Sequence, residues 1–218
     1  MSAASRRSRS MTADPDVPLE ELRRSIAEAV QRAVDGLSQG YGAPLRRRLR
    51  TESEGYDAAA LCLGLGRLCD EEMRTLPCAV TLGLLEEMGR VFLGLEDGES
   101  MVEGWGMPRT LNAADGLYTL GRQLLLTHEA LDVESRLDAL SVFVDAARAF
   151  SEALHAHAPD TQGALSKATR SLYPAAASFA ALCCGLESAR RDELVEAATV
   201  GSIDAALVKA SVILLREP

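Results

Sequence analysis

Leu19, Leu22, Ile26, Val30, Val34 and Leu37 recur at spacings of three and four, the period that lines up one face of an α-helix. Nowhere does the chain alternate apolar and polar residues as a half-buried strand would. Together these patterns place the chain in the all-α class. Asp16 can cap this first helix, Pro18 suits its first turn, and Gly40 marks its end. Further helices are predicted over residues 44 to 51, 57 to 73, 76 to 95, 110 to 130, 133 to 157, 161 to 185, 189 to 199 and 201 to 216, with Gly, Pro and Asp at the breaks. Alanine and leucine dominate, and aromatic residues are only 4%. Several segments are apolar almost all round, the pattern of helices buried at the centre of a bundle.

At 218 residues the chain is long enough for one domain with its own core, and we assign that domain to residues 16–218. Residues 1–15 are Ser/Arg-rich and nearly free of apolar side chains, so they are expected to be a disordered tail. Every apolar run is broken by charge or glycine well short of the ~20 residues a membrane span needs, and no signal-like apolar core follows the N-terminus. A soluble protein of the cytoplasm, with no transmembrane segment, is the expectation. Net charge is −9, and the strong basic runs are RRSR near the start and LRRRLR at Leu45–Arg50. Nucleic acid is therefore excluded as the expected partner. Cys62, Cys69, Cys78, Cys183 and Cys184 lie inside apolar helical runs without CxxC spacing, which predicts buried reduced thiols rather than a disulfide or zinc framework.

The candidate chemistry centres on VFLGLEDGES, where an apolar helix runs into Glu96, Asp97 and Glu99. Three carboxylates there could attract a divalent cation weakly; a solvated helix end is the simpler reading. His155 and His157 point about 200° apart on a helix, so they cannot share a metal. Surface positions are expected for both. No serine lies in a GxSxG elbow, which argues against a hydrolase. Gly64 and Gly66 lack the strand and third glycine of a nucleotide fingerprint, so close helix packing explains them better. LRRRLR reads as a solvated helix face.

The middle of the chain, LPCAVTLGLLEEMGRVFLGLEDGES followed by WGMPRTLNAADGLYTLGRQLLL, resembles the trans-isoprenyl diphosphate synthases, the polyprenyl synthetase family. Trp105, Gly106, Pro108, Asn112, Ala113, Asp115 and Leu117 match that family's WGxPxxxNAGDxL pattern. SKATRSLYPAAASFAALCCG is similar to its KTxxLFxAAxxxGA helix, and VGSIDAALVKASVILLR to its FGxxxGxAFQIxDDxLD helix. The resemblance implies a class I terpenoid synthase bundle, truncated at the C-terminus, because the chain stops where the family has several helices to go. In the family, two aspartate-rich motifs bind three Mg²⁺ ions that neutralise an allylic diphosphate, while arginines and lysines clamp the phosphates.

The resemblance also implies that this machinery is degraded. Leu93 and Gly94 stand at the first two aspartates of DDxxD, and Asp97 stands at the third. Val212, Ile213 and Arg216 stand at the three aspartates of the second motif, with Val208 and Lys209 at its FQ pair. The arginine-rich loop is reduced to SMVEGWGMPR, and the GKxxRP segment that binds the homoallylic diphosphate falls at EGYDAAAL, without a basic residue. Apolar residues at the lost metal positions are expected to let the two helices pack together. Asp115 is expected to be a structural acid inside the bundle.

A non-catalytic subunit of a heteromeric prenyl diphosphate synthase follows as the expected function, with Mg²⁺ belonging to the catalytic partner and no cofactor of its own. A homodimer stays open. The family's dimer helix corresponds to Leu111–Leu126, with Leu111, Leu117, Tyr118, Leu120, Leu124 and Leu125 as candidate interface residues. Two alternatives remain: a prenyl-chain or lipid-binding protein with an apolar cavity, and a divergent prenyltransferase or terpene cyclase using Asp97 and Glu99.

Overall fold

The structure, a computed structural model, describes residues 18–37, 45, 55–96, 106–157, 161–199 and 201–214. The described residues are helical, in the order α1 (Leu19–Asp35), α2 (Asp57–Leu68), α3 (Glu72–Glu96), α4 (Gly106–Leu126), α5 (Val133–His157), α6 (Thr161–Arg170), α7 (Tyr173–Cys184), α8 (Ser188–Ala198) and α9 (Ile203–Leu214). Among them no helix is long and apolar enough to cross a membrane. Asp16, the tail and all of LRRRLR after Leu45 lie outside the described residues; Leu45 itself is buried.

α3 is the axis of the bundle, with α1, α2, α4, α5, α6 and α7 packed around it. Residues 81–91 of α3 are buried without a break, and so are Ala58–Gly66 of α2. Apart from Glu86, Glu87 and Arg90, these are segments whose sequence is apolar on nearly every face, and surrounding them with other helices hides that surface. α1 lies outside them as an amphipathic helix, burying Leu22, Ile26, Ala29, Val30 and Val34 and facing water with the rest. Glycines set the spacing. A β-carbon on Gly89 would fall 2.6 Å from Phe150 Cζ, and one on Gly64 would come 3.0 Å from Leu207 and 3.2 Å from Leu22. Close helix approach is therefore what Gly64 does in LCLGLGRL.

Several boundaries differ from the sequence expectation. Residues 161–185 form two helices, not one, because Pro174 cannot donate to the preceding turn. Ser171 and Leu172 instead bond back three residues, to the Ala168 and Thr169 carbonyls, and α7 starts afresh with proline in its first turn. α2 stops at Leu68 rather than 73, where Asp70 takes a positive φ of 57°. α3 begins four residues before its expected start and carries Pro77 inside it. Pro18 is the N-cap of α1 rather than a first-turn residue, its carbonyl accepting from the Glu21 and Leu22 amides.

Candidate functional site

Three charged residues occur where α3 is most deeply buried: Glu86, Glu87 and Arg90, only 2%, 3% and 8% exposed. Charges this deep are stable only when paired and hydrogen-bonded. Their partners come from the segment that leads into α2. Gly55 and Tyr56 both have positive φ, 119° and 65°, which turns the chain sharply and drops the Tyr56 ring inside the bundle. The Tyr56 hydroxyl donates to Glu87 Oε1 at 2.6 Å, and Arg90 pairs with the same carboxylate. The Arg90 guanidinium also lies 5.0 Å from the Tyr56 ring centroid, a cation–π contact. A β-carbon on Gly55 would fall on that guanidinium, so glycine is required there by both space and backbone angle.

Glu86 faces the start of α2. Its Oε1 accepts from the Ala58 and Ala59 amides at 3.1 and 3.4 Å, satisfying donors that a helix start leaves orphaned. Tyr56, the residue at the N-cap position, provides no side-chain cap, so α3 caps α2 from across the bundle. Burial pushes the Glu86 carboxyl up to about 7, against the opposing pull of Arg90 and the two amides. Burial likewise pushes the Tyr56 hydroxyl well above its usual range, with the Glu87 charge adding to it. At the rim, Asp57 accepts from Arg23 Nη2 at 2.7 Å and Nε at 3.1 Å, and Arg23 also reaches Glu20 at 2.6 Å. The cluster is closed: its acids are neutralised or hydrogen-bonded by the protein itself, and its geometry clamps α2 to α3.

The residues singled out from sequence are placed differently. Leu93 is buried and Gly94 partly exposed in the last turn of α3; Glu96 ends that helix, while Asp97, Glu99 and Arg216 lie outside the described residues. The expected packing between the two degenerate motifs is not found among the described residues. α9 packs on α8 and α2, Ile213 is buried there, and Val212 is 54% exposed along a groove shared with Glu193, Glu196 and Lys209. Leu93, Gly94, Val212 and Ile213 offer no side-chain oxygen, so they do not fit a Mg²⁺ cluster.

Asp115 is exposed on α4 rather than inside the bundle. Of the candidate interface residues, Leu117 and Leu125 are fully buried in the chain's own core, because α4 turns that stripe inward toward α3. Tyr118 stacks on Phe143 at 5.1 Å and is half-buried, as are Leu120 and Leu124. Leu111 remains exposed. His155 is exposed as expected, and the His157 side chain is outside the described residues. All five cysteines are free thiols; Cys62, Cys78 and Cys183 are buried, and Cys69 and Cys184 partly so. His128, a lone histidine with no motif around it in the sequence, is also buried. The signal that pointed to Glu86, Glu87 and Arg90 was available: three charges inside an otherwise apolar run.

No protein-family model matches the chain, and no curated protein matches it. Among solved structures it is similar to a geranylgeranyl pyrophosphate synthetase from the archaeon Geoglobus acetivorans, with a TM-score of 0.67 and 16% identity. The match covers 85% of this chain and 65% of that one, so the chain spans about two thirds of the length of the enzyme it matches. The architecture is thus the all-helical isoprenyl diphosphate synthase fold. At this identity the likeness is one of fold.

Proposed function

We propose that this protein is a catalytically silent member of the isoprenyl diphosphate synthase fold that acts as the non-catalytic subunit beside an active prenyl diphosphate synthase. The observation that carries the reading is the Glu86 carboxylate on the first amides of α2. The sequence resemblance assigns this segment, EGYDAAAL, to binding of the homoallylic diphosphate. A helix start is a natural anion site, and here a side chain of the protein already fills it. Glu87 is likewise committed to Tyr56 and to the buried guanidinium of Arg90. Leu93 and Gly94 stand at aligned aspartate positions, so among the described residues this part of the interior offers neither a phosphate clamp nor the facing carboxylates of a Mg²⁺ cluster. In this reading Mg²⁺ belongs to the partner rather than to this chain.

The test is to co-express the full chain with a prenyl synthase from the same source and compare gel filtration and product chain length with and without it. Co-elution at micromolar concentration together with a shifted product distribution is the expected result. Separate elution with unchanged products would refute the proposal.

A further inference from the structure

The five cysteines are scattered over 123 positions of sequence, yet the fold brings two of them, with a histidine, to one point. Cys78 comes from α3, Cys183 from α7, and His128 from the turn after α4; all three are buried, and their ligand atoms lie within 4.8 Å of one another. We propose that Cys78, His128 and Cys183 form a binding site for one thiolate-preferring divalent cation of the zinc class.

The spacing suits such an ion. Two Zn–S bonds of ~2.3 Å at a tetrahedral angle set their sulfurs ~3.8 Å apart, and the Cys78 and Cys183 sulfurs are 3.8 Å apart. A disulfide needs about 2.05 Å, so the pair is not poised as a cystine. His128 makes a backbone-carbonyl contact of the kind that metal-bound histidines make through their other nitrogen. Its Nε2 is 2.8 Å from the Arg74 carbonyl, which can only accept, so Nε2 carries the hydrogen and Nδ1 keeps the lone pair that a metal takes. Arg74 thus supplies the outer-shell contact, and the Cys183 thiol donates to the same carbonyl at 3.4 Å.

Charge also closes. Binding replaces the two S–H bonds by two S–metal bonds and releases two protons to solvent, so a dication with two thiolates and a neutral imidazole is uncharged in a buried site. Three protein ligands leave a fourth position for water. On the surface nearby, a groove lined by Arg67, Asp70, Glu71, Glu72, Arg74 and Ala130 includes the residue whose carbonyl touches both His128 and Cys183. This inference does not rest on the prenyl-synthase reading, and either can fail alone.

The experiment uses the full chain, reduced, stripped of metal and titrated with Co²⁺ and then Zn²⁺. Expected are one equivalent bound, a thiolate-to-cobalt charge-transfer band lost when Zn²⁺ displaces Co²⁺, two protons released, and a raised Tm. Cys78→Ser/Cys183→Ser and His128→Asn should each lower retained Zn²⁺ from one equivalent toward none, with unchanged helical circular dichroism. Should those variants not fold, protection of two of the five thiols from a thiol reagent by Zn²⁺ in the native wild-type chain decides the matter. Failure of the folded wild-type chain to bind either metal, or equal binding by a folded double variant, would overturn the site and leave a thiol–thiol hydrogen bond only.

Discussion

At the scale of single residues, Glu86 is the most informative position. Its carboxyl is pushed up from 4.5 to about 7 by burial, so the folded chain holds this proton more tightly than the unfolded chain does. The resulting stabilisation is fully present below pH 4.5 and is lost as pH rises through 7. Glutamine at this position keeps an oxygen for the Ala58 and Ala59 amides but cannot ionise. We therefore expect the stability of the wild-type chain, relative to Glu86→Gln, to fall by up to about 3 kcal/mol between pH 4.5 and 7.5. Urea unfolding of both proteins across that range checks this, and a parallel pH dependence in the two would show that Glu86 does not titrate.

At the scale of elements, α4 separates what is core from what is available to a partner. Leu117 and Leu125 are interior, so a mutation at either tests folding rather than association. The outer face keeps Leu111 and Leu126, 39% and 45% exposed, among polar residues that include Asn112, Asp115 and Gln123. If α4 is the surface used in a heteromer, Leu111→Asp with Leu126→Asp should dissociate the complex by gel filtration. The Tm of the isolated chain should move by less than about 2 °C, since exposed substitutions away from special features stay within ~0.5 kcal/mol. A drop in Tm larger than this would place the two leucines in the chain's own stability instead.

For the whole molecule, the decisive feature is that the interior of the bundle is built as a core. Tyr56, Phe143, Phe150 and Phe179 are among its largest fully buried side chains, and Gly83 and Gly89 let Val30 and Phe150 press against α3. A substrate chamber needs room and preorganised charge, whereas among the described residues the interior around α3 is packed about a self-neutralised cluster. The isolated protein is accordingly expected to give no turnover of farnesyl or geranylgeranyl diphosphate with Mg²⁺ above a buffer control. Product formation that disappears in Asp97→Ala would restore the enzyme reading.

The all-helical class, the amphipathic stripe of α1 and the central burial of α2, α3 and α7 were legible in the chain, because each is a periodic or compositional property of neighbouring residues. Even the split at Pro174 was written locally, in a residue that cannot donate to the turn before it. The outward face of Asp115 and the inward turn of Leu117 and Leu125 were not, since a helix that is apolar on most sides does not declare which side its neighbours will cover. Least legible were the meetings between distant residues. Glu86 finds the Ala58 amide 28 positions away, and Cys78 finds Cys183 across 105, with no repeat or spacing to announce either. Periodicity encodes which face of a helix is buried; only the packing of the helices decides which residues meet there, because that depends on distances between segments that the order of residues does not carry.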